Sequence, residues 1–456
     1  MCRWPALVVA LCLLLLATAA RAADFQQSYI AGQADAAGRF MGGTEMRLLV
    51  AHGGRLYAGN GYWEDQPGPE GAQGAQILVL DGPNAAWRVD HQFDERKGNG
   101  RPRDLAVGAL FEANFATDAR GAPLPRPVSL LIASNWDLTG ANRVFTRDDT
   151  TGSWTTTTLA QNQFDPNFLP QIRSFGSHRD RVTGVDLVFA GEDPRGIFSG
   201  TYDPSVTGWI RWSAAPELDL SLVPAEGISG RNGYLRVPSF AEANGRLYAT
   251  VGQHVYERVD GAAPQWRLLY TNQRPGHSET GLRGLTGVPG PGGDVLLAAI
   301  EGNISRVVRI DPRGGSETTE LDVDDFLGRS WGMRPNYTIV AYNDMAKIGG
   351  SVLMGVMAFI PRTVPVAAGH TLVDVGYGQV ESGGWYLVRD SGGRYMLHRV
   401  TTDSARPLVA VRTIAASPFP GDSAVYFAGY DANKAPVHNT AWIVRASLAT
   451  ALGSVR

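Results

Sequence analysis

The stretch Gly54-Arg55-Leu56-Tyr57-Ala58 returns in the middle of the chain as Gly245-Arg246-Leu247-Tyr248-Ala249. Each copy is followed by a strand-like run, an aspartate turn and a tryptophan, Asp81 to Trp87 and Asp260 to Trp266. Between such runs stand Gly, Asp, Asn and Pro. The runs themselves are five to eight residues long and rich in β-branched and aromatic side chains. That pattern belongs to short strands and turns, with no sustained helical period after the N-terminal segment.

A four-strand unit can be written from these copies. Strand A opens with a basic residue and an apolar residue two places on. Strand B is a buried run ending in Ala or Gly. Strand C stops at an Asp turn, and strand D starts at an aromatic. The unit fits seven times. The A strands open at Arg47, Arg103, Arg173, Arg236, Arg283, Asn343 and Arg412. The B strands fall at 56–59, 129–133, 186–190, 247–250, 295–300, 352–356 and 424–429. Further C–D turns are Asp149 to Trp154, Asp203 to Trp209, Asp311 without an aromatic, and Asp390 to Tyr395. The extra length of some copies is expected in loops, such as 112–127 and 362–383. The seventh copy stops after its third strand, Ala441–Ser447, and Phe25–Ile30 precedes the first copy. An N-terminal strand can therefore complete the last unit, close a ring and leave no open sheet edge. The expected fold is all-β: a single seven-bladed β-propeller of four-stranded antiparallel blades over residues 23–456. Two β-sandwiches would not explain one repeat running the whole length. In outline the Asp-turn-Trp unit resembles the kelch-like and Asp-box propellers. It lacks the regular kelch glycine doublet, and Asp149, Gly152 and Trp154 depart from the Asp-box spacing.

Residues 1–22 read as a signal peptide. Arg3 gives the positive start, residues 6–17 the apolar run, and Ala20-Arg21-Ala22 the small residues before a cut. The expected location is secreted or periplasmic. Cys2 and Cys12 are the chain's two cysteines. Without them the mature chain has no thiol chemistry and no disulfide. Loss of Arg3 and Arg21 leaves 39 basic side chains against 44 acidic ones, which is no nucleic-acid footprint. No later run is long and apolar enough to span a bilayer. The cations are nearly all arginine; Lys97, Lys347 and Lys434 are the lysines.

In a propeller, A-strand starts and B-strand ends gather at one mouth of the central channel, where ligands bind. Six arginines there, with Asn343 in the remaining slot, suit an anion held by paired guanidinium hydrogen bonds. The structural alternative is that acids such as Asp104, Asp344, Glu242 and Asp180 neutralise them. The B-strand ends add Asn60, Asn135, Glu192, Glu301 and Asp431, with Tyr62, Trp63, Trp136 and Tyr430 nearby. Amides, acids and aromatic faces beside arginines suit a sugar. His254, His277 and His438 fall on the same face and are candidate bases. No cofactor is implied, and the histidines leave a divalent metal open without any His-x-His or His-x3-His spacing.

These residues fit three functions. The leading one is a polysaccharide lyase cleaving a uronate-containing glycan, with arginine on the carboxylate and His254, His277, His438 or a tyrosine as base. The second is a glycoside hydrolase using Glu192 and Glu301. The third is a non-catalytic propeller binding an acidic oligo- or polysaccharide, or another envelope partner. No Gly-x-Ser-x-Gly elbow, phosphate-binding loop or dinucleotide fingerprint is present.

Overall fold

A computed structural model of the chain describes residues 24–62, 74–93, 96, 98, 100, 102–162, 170–224, 235–276, 280–342, 345–375, 378–402, 407–431 and 439–453. The signal segment, Trp63, His277, Asn343, Asp344 and His438 lie outside the described residues.

The expected repeat is a repeat of antiparallel hairpins. Glu45–His52 pairs Arg55–Gly61, which pairs Gln76–Leu80, which pairs Arg88–Gln92. The same order recurs through Asp104–Thr117, Pro123–Asp137, Ala141–Arg147 and Trp154–Gln161. It continues with Gln171–Arg179 to Ile210–Trp212, Phe240–Ala243 to Gln265–Thr271, and Gly281–Gly290 to Glu317–Asp322. The next unit has a divided first strand, Tyr337–Val340 and Ala346–Ile348, both against Ser351–Phe359. Trp385–Arg389 and Tyr395–Arg399 complete it. Asp81, Asp149, Asp203, Asp260, Asp311 and Asp390 all stand between the third and fourth strands of their units.

The units form a closed ring. Apart from the divided strand, each first strand packs on the first strand of the next unit, and Leu408–Ala416 returns to Glu45–His52. Where the first strand is divided, Tyr337–Val340 meets Gly293–Glu301 of the preceding unit, with a bridge from Gly302 to Thr338. The core lies between units. Tyr57, Ile77 and Phe93 of one unit pack on Val107, Leu131 and Phe145 of the next. Likewise Phe189 and Ile197 pack on Leu247 and Val251. Strand B glycines admit these close contacts. A Cβ at Gly355 would lie 2.1 Å from the Val411 carbonyl, so no other residue fits without moving backbone. The architecture is a β-propeller.

Three details differ from the expected pattern. Residues 112–127 are mostly strand, because the hairpin extends through Thr117 and restarts at Pro123. Within 362–383, Leu372–Asp374 and Gln379–Glu381 form a further hairpin that joins Ser351–Phe359 at Phe359. A nine-residue helix, Val323–Trp331, follows Glu317–Asp322, capped by Asp322 accepting from the Asp325 N–H and closed by Gly332 at φ 68°.

The N-terminal clasp is present. Phe25–Ile30 pairs Ala441–Ser447, so the outer strand of the last unit comes from the start of the chain. Phe25 is buried edge-on to Phe427 at 5.6 Å, and the Tyr29 hydroxyl donates to the Gly42 carbonyl at 2.8 Å. Phe25→Ala therefore removes a buried ring from the seam. We expect it to cost about 3 kcal/mol, measured by chemical denaturation. A loss below about 0.5 kcal/mol, the level of an ordinary surface change, would mean the clasp does not hold the ring.

Candidate functional site

Four of the predicted arginines occupy the same irregularity. The pairing skips Arg47 between Met46↔Asn60 and Leu48↔Gly59. It skips Arg173 between Ile172↔Glu192 and Ser174↔Gly191, and Arg412 between Val411↔Gly429 and Thr413↔Ala428. Arg283 and Gly284 stand in the corresponding shift between Leu282 and Leu285. Each is a bulge that re-aims one side chain without ending the strand. Arg103 and Arg236 precede their strands instead, and their carbonyls accept from the Leu138 and Gly252 N–H groups.

With Arg236 these arginines form a buried to half-buried charged cluster. Arg47 Nε and Arg412 Nη2 each lie 3.3 Å from a Glu45 oxygen. Arg283 Nε lies 2.7 Å from Glu301 Oε2, and Arg236 Nη1 is 3.7 Å from Glu301 Oε1. Arg173 pairs with buried Asp193. Arg47 also donates to the Val107 carbonyl at 2.7 Å. Five guanidinium groups thus meet three carboxylates in this region. The Arg283–Glu301 pair is close but misaligned: neither Arg283 Nε nor Glu301 Oε2 has a hydrogen-bond partner.

Tyr342 stands inside this cluster. The Arg412 guanidinium is 3.6 Å from its ring centroid and that of Arg283 is 4.8 Å away. Burial alone would raise the Tyr342 hydroxyl. The positive charges of Arg412, Arg283 and Arg47 outweigh burial and the opposing Glu45, so the hydroxyl is held below the usual phenol range. The backbone bends to present it. Ala341, just before Tyr342, has φ 54°, a left-handed conformation that costs a non-glycine residue about 1 kcal/mol or more. Its N–H still donates to the Gly355 carbonyl. Arg47 faces Trp136 at 5.6 Å, and Arg412 also faces Tyr430 at 5.0 Å, so aromatic walls flank the cations.

The other sequence candidates are placed as follows. Arg103 pairs with Asp137 at 2.8 Å, an acid it shares with Arg143. Glu192 is buried in a separate network, accepting from Asn142, Asn162 and the Arg195 N–H; burial raises its carboxyl. Glu301 is an arginine partner. His254 has both ring nitrogens engaged, with Thr271 Oγ1 and the Pro224 carbonyl, each at 3.0 Å. Asn60 is buried and bonded to Gly42, Gln76 and the Gln76 N–H. Asn135 donates to Asp104 at 2.5 Å. Each of the six arginines has a carboxylate within 4 Å, from Glu45, Asp137, Asp193 or Glu301. Of the acids expected there, Asp104 accepts from Asn135, Glu242 serves His178 and Asp180 serves Arg258, and Asp344 lies outside the described residues.

Two residues of the cluster were not singled out in the sequence. Glu45 lies two residues before Arg47, on the same strand. Tyr342 lies one residue before the slot where the arginine series breaks, and that break was its signal. Among the described residues no group of three or more His, Cys, Asp and Glu side chains could hold a metal ion. No helix there is long and apolar enough to cross a membrane.

No protein-family model matches the chain, and no curated protein matches it. Solved structures do. An ancestral GH74 enzyme aligns with 93% of this chain and 51% of its own, at 13% identity and a TM-score of 0.53. The chain thus spans about half the length of that structure. Sqt1 from Chaetomium thermophilum aligns over 93% of this chain and 90% of its own, at 13% identity and a TM-score of 0.43. The Dos1 propeller aligns over 91% and 82%, at 12% identity and 0.41. At these identities the first likeness bears on the fold alone: this chain has a β-propeller fold.

Proposed function

We propose that the chain is a secreted or periplasmic seven-bladed propeller that takes an acidic carbohydrate at its channel mouth and cleaves it by β-elimination at a uronate. The observation that carries this reading is Tyr342, an acidified phenol among Arg412, Arg283 and Arg47. Elimination needs those two functions together. Arginine binds the uronate carboxylate and stabilises the charge that develops on it. The Tyr342 phenolate takes the proton α to that carboxylate. The electron pair forms the ring double bond, the glycosidic C–O bond at the β carbon breaks, and the departing oxygen is protonated by the phenol or by water. With His254 engaged at both nitrogens, Tyr342 takes the place of His254 as the base in this scheme.

Incubation with uronate polymers tests the reading. The expected result is ultraviolet absorbance from an unsaturated product. Reducing ends without unsaturation would replace the lyase with a hydrolase. Binding with no cleavage would leave a carbohydrate receptor. Neither cleavage nor binding of any acidic polymer would overturn the whole reading.

A further inference from the structure

We infer that a second site, a groove between the units of Phe240–Thr271 and Gly281–Asp322, binds a segment of acidic polysaccharide away from the channel. The groove encloses about 820 Å³. Five arginines line it: Arg181, Arg246, Arg267, Arg309 and Arg313. All five side chains are at least 41% exposed, so their charges reach solvent. The acids in the lining are two, Asp294 and Asp311.

The groove lies at the far ends of the strands from the channel cluster. Asn244 and Gly292 belong to turns between first and second strands, and Arg313 to a turn between third and fourth. Arg47 and Arg283 stand at the opposite ends of first strands.

Arg313 is paired by Asp311 through two hydrogen bonds, at 3.0 and 2.8 Å; the acids beneath the groove hold the other four guanidinium groups without one acid for each. Buried Glu257 serves both Arg246 and Arg267. Glu320 lies 3.8 Å from Arg309 but is engaged by Arg389 at 2.7 Å. Asp260 serves Arg181 together with Arg258 and His178. Each of these anions is shared by at least two cations. The arginines are thereby positioned at one end while their outer edges face the groove. Planar forks arrayed along a groove match carboxylates or sulfates repeated along a chain. The Gly292-Gly293 turn keeps the rim low: a Cβ at Gly292 would lie 3.2 Å from Arg313 Nη1. The choice of a polysaccharide over other polyanions rests on the function proposed for the channel.

The test uses the full chain and three probes, polygalacturonate, heparin and duplex DNA, with binding measured at low and high salt. Arg181→Gln, Arg309→Gln and Arg313→Gln are combined. Arg246 and Arg267 stay, so Glu257 remains paired and the fold is retained, which circular dichroism checks. We expect the triple variant to bind one or both polymers at least tenfold more weakly, with a shallower salt dependence. Cleavage of short uronate oligosaccharides should be unchanged. Tyr342→Phe should leave groove binding intact. Wild-type affinity in the triple variant would overturn the groove. Tighter binding of duplex DNA than of either polysaccharide would overturn the choice of ligand. Loss of groove binding in the triple variant, with no channel activity in any variant, would sink the channel reading and keep the groove.

Discussion

Tyr342→Phe is expected to abolish product formation from uronate polymers, by about 10²- to 10⁴-fold in turnover, while leaving polymer affinity within a few-fold. The substitution deletes one oxygen. It keeps the ring on which Arg412 and Arg283 lie, at 3.6 and 4.8 Å, and so keeps the arginines in place for the substrate carboxylate. A loss confined to turnover is what removal of a base produces, whereas loss of an anion contact would weaken binding as well. The pH profile supplies an independent readout. The base is competent as phenolate, so activity rises with pH through the Tyr342 midpoint. The guanidinium charges place that midpoint below the ordinary phenol value of 10. Arg412→Gln removes the foremost of those charges and should move the midpoint upward, in addition to weakening substrate binding. His254→Gln should move neither, because both nitrogens of that ring are engaged within the fold. Full turnover by Tyr342→Phe would place the base elsewhere and remove the mechanism.

The propeller was legible because its local rules repeat. Gly54-Arg55 and Gly245-Arg246 each open a second strand after a tight turn, with Gly54 at φ 72° and Gly245 at φ 67°. The glycines in strand B mark where the next unit approaches, as at Gly355 and Val411. The clasp was legible from a missing fourth strand. What stayed hidden lacks such a periodic trace. Residues 112–127 carry prolines and exposed polar side chains, yet backbone pairing and the buried Ala113 and Phe115 extend the hairpin through them. The arginine series pointed to the channel, but the bulges at Arg47, Arg173 and Arg412 decide where each side chain aims. A bulge is a mismatch between two strands, and one strand's sequence does not display it. The re-aimed arginines meet Glu45 and Glu301, while Asp104 and Glu242 serve Asn135 and His178. Tyr342 depended on a left-handed alanine, a conformation that residue type disfavours.

Glu301→Gln should destabilise the fold by about 3 kcal/mol or more, the usual consequence of stranding one member of a buried ion pair. Its two oxygens face Arg283 and Arg236, and the Arg283–Glu301 contact is 2.7 Å with both groups buried. Arginine cannot shed its proton to relieve the loss. The variant therefore carries the Arg283 guanidinium beside Tyr342 and that of Arg236 with no carboxylate between them. If the cluster is built for an anion, an added uronate or sulfate can take the vacated position. The melting temperature should then rise more steeply with added anion in Glu301→Gln than in the wild type. Binding at a hundredfold excess over Kd returns about 2.7 kcal/mol, enough to offset most of the deficit. Arg283→Met combined with Glu301→Gln should cost less than Glu301→Gln alone, because the stranded charge is gone, and it should lose the anion response. A destabilised Glu301→Gln that no carboxylate or sulfate restores would make the cluster a structural ion network and leave the channel without its ligand. Rescue confined to the variants that keep Arg283 ties the stability of the ring to the chemistry proposed at its mouth.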